Sequence, residues 1–411
     1  MRNLLVAAAM TIAAPLLATP VRADVVADWM EGASAATGAD IGQTPGRATL
    51  TRVNTRVEGC VSLAMFEAAN AIDHRYKSYL GFAPVRGPAS AEAAAAAAAH
   101  AMLVQMLPSA KAGFDDGLTF SLAQIPEGEA KRAGVALGEA AAKAVMARAM
   151  YDKKAPVPQY RFSAVPGRYV GTDYPVLPTF YFVAKPWFLP TPDAVAPPPP
   201  PTLTSERYTR DFNEVKAIGG KASATPEAKM AAKFWASNDT DPILRAVDMR
   251  PGRRLVDNAR LYAMVAIAGE DAGVAVTVAK LTHYAWRPIT AIRAAADDGN
   301  PATAPDPAWE PVLRTPGHPE YPCGHCIGAA TVATILAAET GERPAAGLLH
   351  FTVPTMPGSG VTLSTWGEYI RLENLSRIQA GVHFRYAADA GEAMGRTIGR
   401  MALAKFAPPL N

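Results

Sequence analysis

The chain has 411 residues, 49% of them hydrophobic and 19% charged, enough for one large domain or two ordinary ones. Lys and Arg number 40 against 37 Asp and Glu, so there is no global basic field to suit nucleic acid or an acidic membrane surface. Three cysteines are too few for a disulfide scaffold, although Cys323 and Cys326 can pair in an oxidising compartment and leave Cys60 alone.

Residues 1–23 combine Arg2, an apolar run from Leu4 to Leu17 and a small residue at Ala23. They read as a secretory signal peptide cut before Asp24, which implies a periplasmic or secreted protein; an uncleaved N-terminal anchor is the alternative. No later stretch supplies eighteen uncharged apolar residues, since Leu261–Val278 is interrupted by Glu270 and Asp271, so no stable membrane insertion is expected.

Residues 24–152 read as an N-terminal helical region that begins with a polar, loosely packed arm over 24–57. Helical spacing of apolar residues predicts a helix over Cys60–Tyr79, a second through the alanine run 91–99 and a third over about Glu127–Tyr151. Prolines between 153 and 203 forbid long helices, and Pro197–Pro201 reads as extended polyproline. Tyr160, Phe180, Trp187 and Phe188 make that segment a strap packed on the surface. Over 204–411 helices resume at Ser205–Ile218, then after Thr225 as N-cap with Pro226 in the first turn, then over Leu255–Leu281, Ile327–Ala338, Thr365–Val382 and Ala387–Phe406. No strand series or fixed repeat emerges, and the predicted class is all-α, built of packed helix bundles.

Three segments in 204–411 carry chemistry. Lys280 closes the long apolar helix, and Arg287 projects from the turn after it because Pro288 pushes it out of helical geometry. Pro322-Cys323-Gly324-His325 opens a helix, where Gly324 lets the backbone approach an anion at the positive end and His325 can transfer protons. Ser376, Arg377 and His383 come late in another helix; the last two are six apart, so a helix end near His383 must bring them together. Each segment alone has a bland reading as solvated cations or a helix-start histidine. Together they supply fixed charge, N–H donors and a proton-transfer group, the requirements of a tetrahedral oxyanion site.

Lys280-x6-Arg287-Pro288, Pro322-x-Gly324-His325 and Ser376-Arg377-x5-His383 resemble the tripartite signature of the vanadium-dependent haloperoxidases and the related acid phosphatases and type 2 phosphatidic acid phosphatases. Trp286–Arg293, His318-Pro319-Glu320-Tyr321 and Gly381–Arg385 are similar to the soluble bacterial haloperoxidase-type branch, and the resemblance extends over roughly residues 180–400. It implies a vanadium haloperoxidase-type helical fold and vanadate as cofactor, with phosphate able to occupy the same place. His383 would bind the vanadium, or attack phosphorus in a phosphatase. Lys280, Arg287, Arg377, Gly324 and the residue at 323 would bind the oxyanion, and His325 would be the acid/base. The expected reaction is peroxide-dependent oxidation of halide, bromide before chloride, toward an organic acceptor. Hydrolysis of phosphomonoesters through a phosphohistidine is the runner-up, and an oxyanion-binding protein without turnover the third reading. A homo-oligomer is compatible with the sequence.

Two residues depart from the signature: Cys323 stands where the family has serine, and Ala387 where many relatives carry an aspartate that orients the histidine. Asp389 is the nearest acid to replace it. His318 is a candidate halide-site residue or a turn histidine, and Asp271 a candidate partner for a site arginine. Cys323-Gly324-His325-Cys326 also matches the tetrapeptide of protein disulfide isomerases, but without their βαβ context. Zinc could take His318, Cys323, His325 and Cys326 only with help from His350, His383 or Cys60.

Overall fold

The computed structural model describes residues 24–43, 51–149, 163–172, 185–237, 240–353 and 355–410. Residues 1–23, expected to be a signal peptide, and with them Pro156, Tyr160, Phe180 and their neighbours in the strap, lie outside the described residues.

Helix α1 (Val25–Gln43) occupies the first part of the expected loose arm. Asp24 Oδ1 accepts from the Val26 and Ala27 N–H groups and so starts the helix. Val26, Trp29, Met30 and Ala33, at helical spacing, are all buried. The polar composition of 24–57 concealed that stripe. Next come α2 (Thr51–Asp73), α3 (Ala91–Met106), α4 (Lys111–Ala123) and α5 (Glu129–Ala149). The alanine run of α3 lies against glycines of α5. A Cβ at Gly134 would stand 2.4 Å from the Ser90 carbonyl, and one at Gly138 2.3 Å from that of Ala94, so only glycine allows this spacing.

The second half holds α6 (Glu206–Ile218), α7 (Pro226–Ala236), α8 (Asp241–Asp248), α9 (Leu255–His283) and the short α10 (Pro288–Arg293). After them come α11 (Gly324–Thr340), α12 (Trp366–Gln379) and α13 (Arg385–Lys405). A two-residue antiparallel pair, β1 (His350–Phe351) with β2 (Val361–Thr362), is the sheet among the described residues. Ser205, Thr225 and Thr365 cap α6, α7 and α12 with their side-chain oxygens.

Helix α9 joins the two halves, packing on α2 on one side and on α11 and α13 on the other. By length and composition it could cross a membrane, yet its most apolar stretch is 83% buried inside the protein. One contiguous core runs from Val26 through α9 to Phe406, and an aromatic cluster of Tyr208, Phe212, Trp286, Tyr321, Phe384 and Tyr386 forms a second. Helix α13 approaches α11 through Gly391, Gly395 and Gly399; a Cβ at Gly395 would meet the Ile327 carbonyl at 2.3 Å.

The strap is fastened to α9 by charge. Asp271 accepts the N–H groups of Trp187, Phe188 and Leu189 at 2.7, 3.0 and 3.0 Å. Trp187 Nε1 donates to Glu270 Oε2 at 2.6 Å, and its ring lies between the Arg56 and Arg148 guanidinium groups, 4.9 and 5.0 Å from its centroid. Arg56 in turn hydrogen-bonds Glu270 and the Ala149 carbonyl. Arg56→Ala is expected to destabilise the fold by about 3–5 kcal/mol, because it strands a buried carboxylate. Burial pushes Glu270 up to about 7 against the pull of Arg56, so the loss read by urea unfolding is largest above that pH, where the stranded group is charged.

Candidate functional site

The end of α9, the loop 318–323 and the turn after α12 converge behind the aromatic cluster. Lys280, in the last turn of α9, is 3% exposed, and its ammonium donates to the carbonyls of Pro319 at 2.9 Å, Glu320 at 2.7 Å and Pro322 at 2.5 Å. Tyr284 ends α9 in left-handed geometry, and Arg287 is extended (φ −86, ψ 156) before Pro288 starts α10. That conformation turns the Arg287 side chain inward. Nε donates to the His318 carbonyl at 2.9 Å and Nη1 to the Val382 carbonyl at 2.7 Å. The guanidinium thus lies between two imidazoles, 3.0 Å from His318 Nδ1 and 3.2 Å from His383 Nε2.

His383 follows the end of α12, where Gly381 adopts φ +74 and reverses the chain. A Cβ there would stand 2.3 Å from the Gly219 carbonyl. The ring is 3% exposed, and its Nδ1 lies 2.8 Å from Glu320 Oε1, which also accepts the Phe384 N–H at 3.0 Å. This fixes the tautomer. A guanidinium has no acceptor, so Nε2 beside Arg287 must carry the lone pair, and the proton sits on Nδ1, donated to Glu320. Burial first, then the Arg287 and Lys280 charges, hold the His383 pKa well below the usual 6.5 and keep the ring neutral. Burial raises Glu320 from 4.5 to about 7, with Arg287 and Lys280 opposing it.

His325 is exposed in the first turn of α11, and its charge is among those that lower His383. Gly324 is the first residue of that helix. Arg377 is buried; Nε donates to Ser376 Oγ at 3.0 Å and Nη2 to the Ala232 carbonyl at 3.2 Å. None of its hydrogen bonds reaches His383.

Three expected roles are corrected by the geometry. Cys323 cannot donate to an oxyanion, because it is disulfide-bonded to Cys326 and its N–H is engaged by the Ala387 carbonyl at 3.0 Å. Its sulfur only accepts, capping α11 at the Cys326 N–H. Asp271 binds the strap rather than a site arginine, since it faces the backbone of 187–189. Asp389 pairs with Arg207 at 3.1 Å on the surface, and Glu320 instead holds His383. Sequence reasoning quoted Glu320 as part of His318-Pro319-Glu320-Tyr321 without a role. The signal available was one acid among prolines and aromatics just ahead of the Cys323-Gly324-His325 motif.

The disulfide also bears on the other readings. Neither sulfur is a thiolate that could bind zinc, and both are fully buried from an exchange partner. Burial pushes the remaining thiol, Cys60, up to about 12. Thiol labelling of the native protein without reductant is therefore expected to modify nothing; denaturation should expose Cys60, and reduction the other two.

A family model described as the VCPO second helical-bundle domain matches residues 260–411, the span that contains all three segments. Over these residues the chain is similar to that domain. Solved structures extend the likeness of fold over nearly the whole chain. The first bacterial vanadium-dependent iodoperoxidase aligns with a TM-score of 0.73 at 19% identity, covering 94% of this chain and 98% of its own. A holo-type bacterial vanadium-dependent chloroperoxidase aligns with a TM-score of 0.67 at 19% identity, covering 89% of this chain and 94% of its own. An apo-type one aligns with the same TM-score at 18% identity, covering 88% and 93%. No curated protein matches by sequence. The haloperoxidase fold thus includes the N-terminal helices that the sequence motifs leave unplaced.

The residues present fit the cofactor named for these similar structures. A neutral imidazole with its lone pair on Nε2, backed by a buried guanidinium and ammonium, is a donor set for an oxyanion whose central atom takes a nitrogen ligand.

Proposed function

We propose that this chain is a vanadate-dependent haloperoxidase, oxidising bromide ahead of chloride with hydrogen peroxide and passing the product to an organic acceptor. The observation that carries this reading is the tautomer of His383, held by Glu320 so that Nε2 presents a lone pair beside Arg287. His383 would hold the vanadium, Arg287 and Lys280 would offset the charge of the oxyanion, and the Gly324 end of α11 would face it with its helix dipole. When bound, vanadate supplies a Lewis-acidic centre that activates peroxide toward halide. The overall reaction turns one peroxide, one halide ion and one proton into hypohalous acid and water. His325, solvent-facing in the first turn of α11, would take and return that proton. His318, in contact with Arg287, would be the ring on the halide side.

The test is a pair of assays on the exported protein with and without orthovanadate, one following bromide, chloride and iodide oxidation by peroxide and the other aryl phosphate hydrolysis. Vanadate-dependent bromination is the expected result. Phosphatase activity that vanadate inhibits would overturn it and assign His383 as a phosphorus nucleophile.

A further inference from the structure

Asp248, at the end of α8, is a buried acid with no task in the site above. It is 4% exposed, and among the described residues neither carboxyl oxygen has a hydrogen-bond partner. A buried carboxylate without donors is costly, so its environment is missing something. The arginines nearby are engaged elsewhere: Arg245 with Glu31 and Asp28, Arg253 with Glu339 and Asn258. The neighbours are otherwise acidic. Asn258 Nδ2 donates at 2.8 Å to Asp24 Oδ2 and at 3.3 Å to the Asp248 backbone carbonyl, so one amide nitrogen ties the two residues together. Burial first and the Asp24 charge next push Asp248 up to about 7, and Asp28 adds to this. No group of three or more His, Cys, Asp or Glu side chains able to hold a metal occurs among the described residues. The absent partner is therefore better sought as an organic cation with N–H donors.

Asp24 is also the residue at which the leader reading places the mature amino terminus. Its carboxylate caps α1 through Val26 and Ala27 and also accepts from Asn258, which holds this residue at the entrance of the helix. Hydrolysis of the Ala23–Asp24 bond by a leader peptidase consumes one water and yields the Ala23 carboxyl and the Asp24 amine, which takes up a proton. A cation at a helix N-terminus opposes the helix dipole and needs a nearby anion. We infer that the ammonium created at Asp24 by leader removal is captured by the Asp248 carboxylate, locking α1 onto the corner between α8 and α9. Processing then completes the fold, and the donors that Asp248 lacks come from the chain's own new terminus.

The experiment is to export the full chain, read its first residue by intact mass, and titrate the ¹³C-dimethylated α-amino group by NMR in the parent and in Asp248→Asn. The expected result is a chain starting at Asp24 whose α-amine holds its proton about tenfold more tightly than the ordinary 7.7–8.0 range, with the effect lost in the variant. A Gly-Ser extension before Asp24 should lower the melting temperature by about 2–4 °C in the parent and leave Asp248→Asn unmoved. A chain starting elsewhere, an α-amine that titrates alike in both proteins, or an Asp248→Asn that melts higher than the parent would each overturn the inference.

Discussion

His383→Ala is expected to reduce vanadate-dependent halide oxidation to the uncatalysed background while the protein still folds. The ring is a nitrogen donor whose Nε2 lone pair stands beside fixed cations. Its removal leaves Glu320 one hydrogen bond short, a loss of about 1–3 kcal/mol, which a fold of this size tolerates. Glu320→Gln should fall between parent and knockout, at about 10–100-fold lower activity, because it acts through the orientation and proton position of His383. Its pH profile separates that role from a structural one. Below about 7 Glu320 is neutral and no longer sets a negative charge against the Nδ1–H, which weakens Nε2 as a ligand. Activity in the parent should therefore rise as pH increases through about 7, and that limb should be absent in Glu320→Gln. Stability runs the other way. A carboxyl raised from 4.5 to about 7 binds its proton more tightly in the folded state, so its contribution is fully present below about 4.5 and is lost as pH rises through about 7. A pH–rate curve and a pH–melting curve with opposite slopes in this window would be decisive; parallel slopes would remove Glu320 from the mechanism.

What could be read ahead of the structure was local chemistry. Thr225-Pro226 starting α7, Thr365 capping α12, the alanine face of α3 and Pro288 expelling Arg287 from helical geometry all act within a few residues, and each is found where the spacing puts it. The signature residues lie about a hundred positions apart, yet the structure brings Lys280, Arg287 and His383 to one place because α9, α11 and α12 pack side by side. Contacts made by distant side chains were not legible. Nearness in sequence suggested Asp389 as the support for His383, whereas the loop held by Lys280 delivers Glu320 from 63 positions away. Asp271 has the burial expected of a site acid, but its partners are backbone N–H groups of the strap, which carry no sequence signal. Helix α8 was missed because it is only 8 residues long, too short for periodicity to show.

Lys280→Met is expected to remove both activity and several kcal/mol of stability, although the side chain is of similar length. On the sequence alone Lys280 is a counter-charge for an oxyanion. In the structure its ammonium also gathers the carbonyls of Pro319, Glu320 and Pro322 onto α9, and those three residues bracket the acid that orients His383 and lead directly into Gly324. A thioether supplies none of these donors. Each buried carbonyl left without a partner costs about 1–3 kcal/mol, so two or three together reach the range of about 3–6 kcal/mol in urea unfolding. Activity should fall further than charge loss alone explains, since Glu320, His318 and the start of α11 lose their common anchor. Lys280→Arg separates the two contributions: it keeps the charge, but a planar guanidinium cannot reach three carbonyls that surround a compact ammonium. If Lys280→Arg were to retain parent stability and activity, the loop would be held by its own prolines, and Lys280 would matter only as charge.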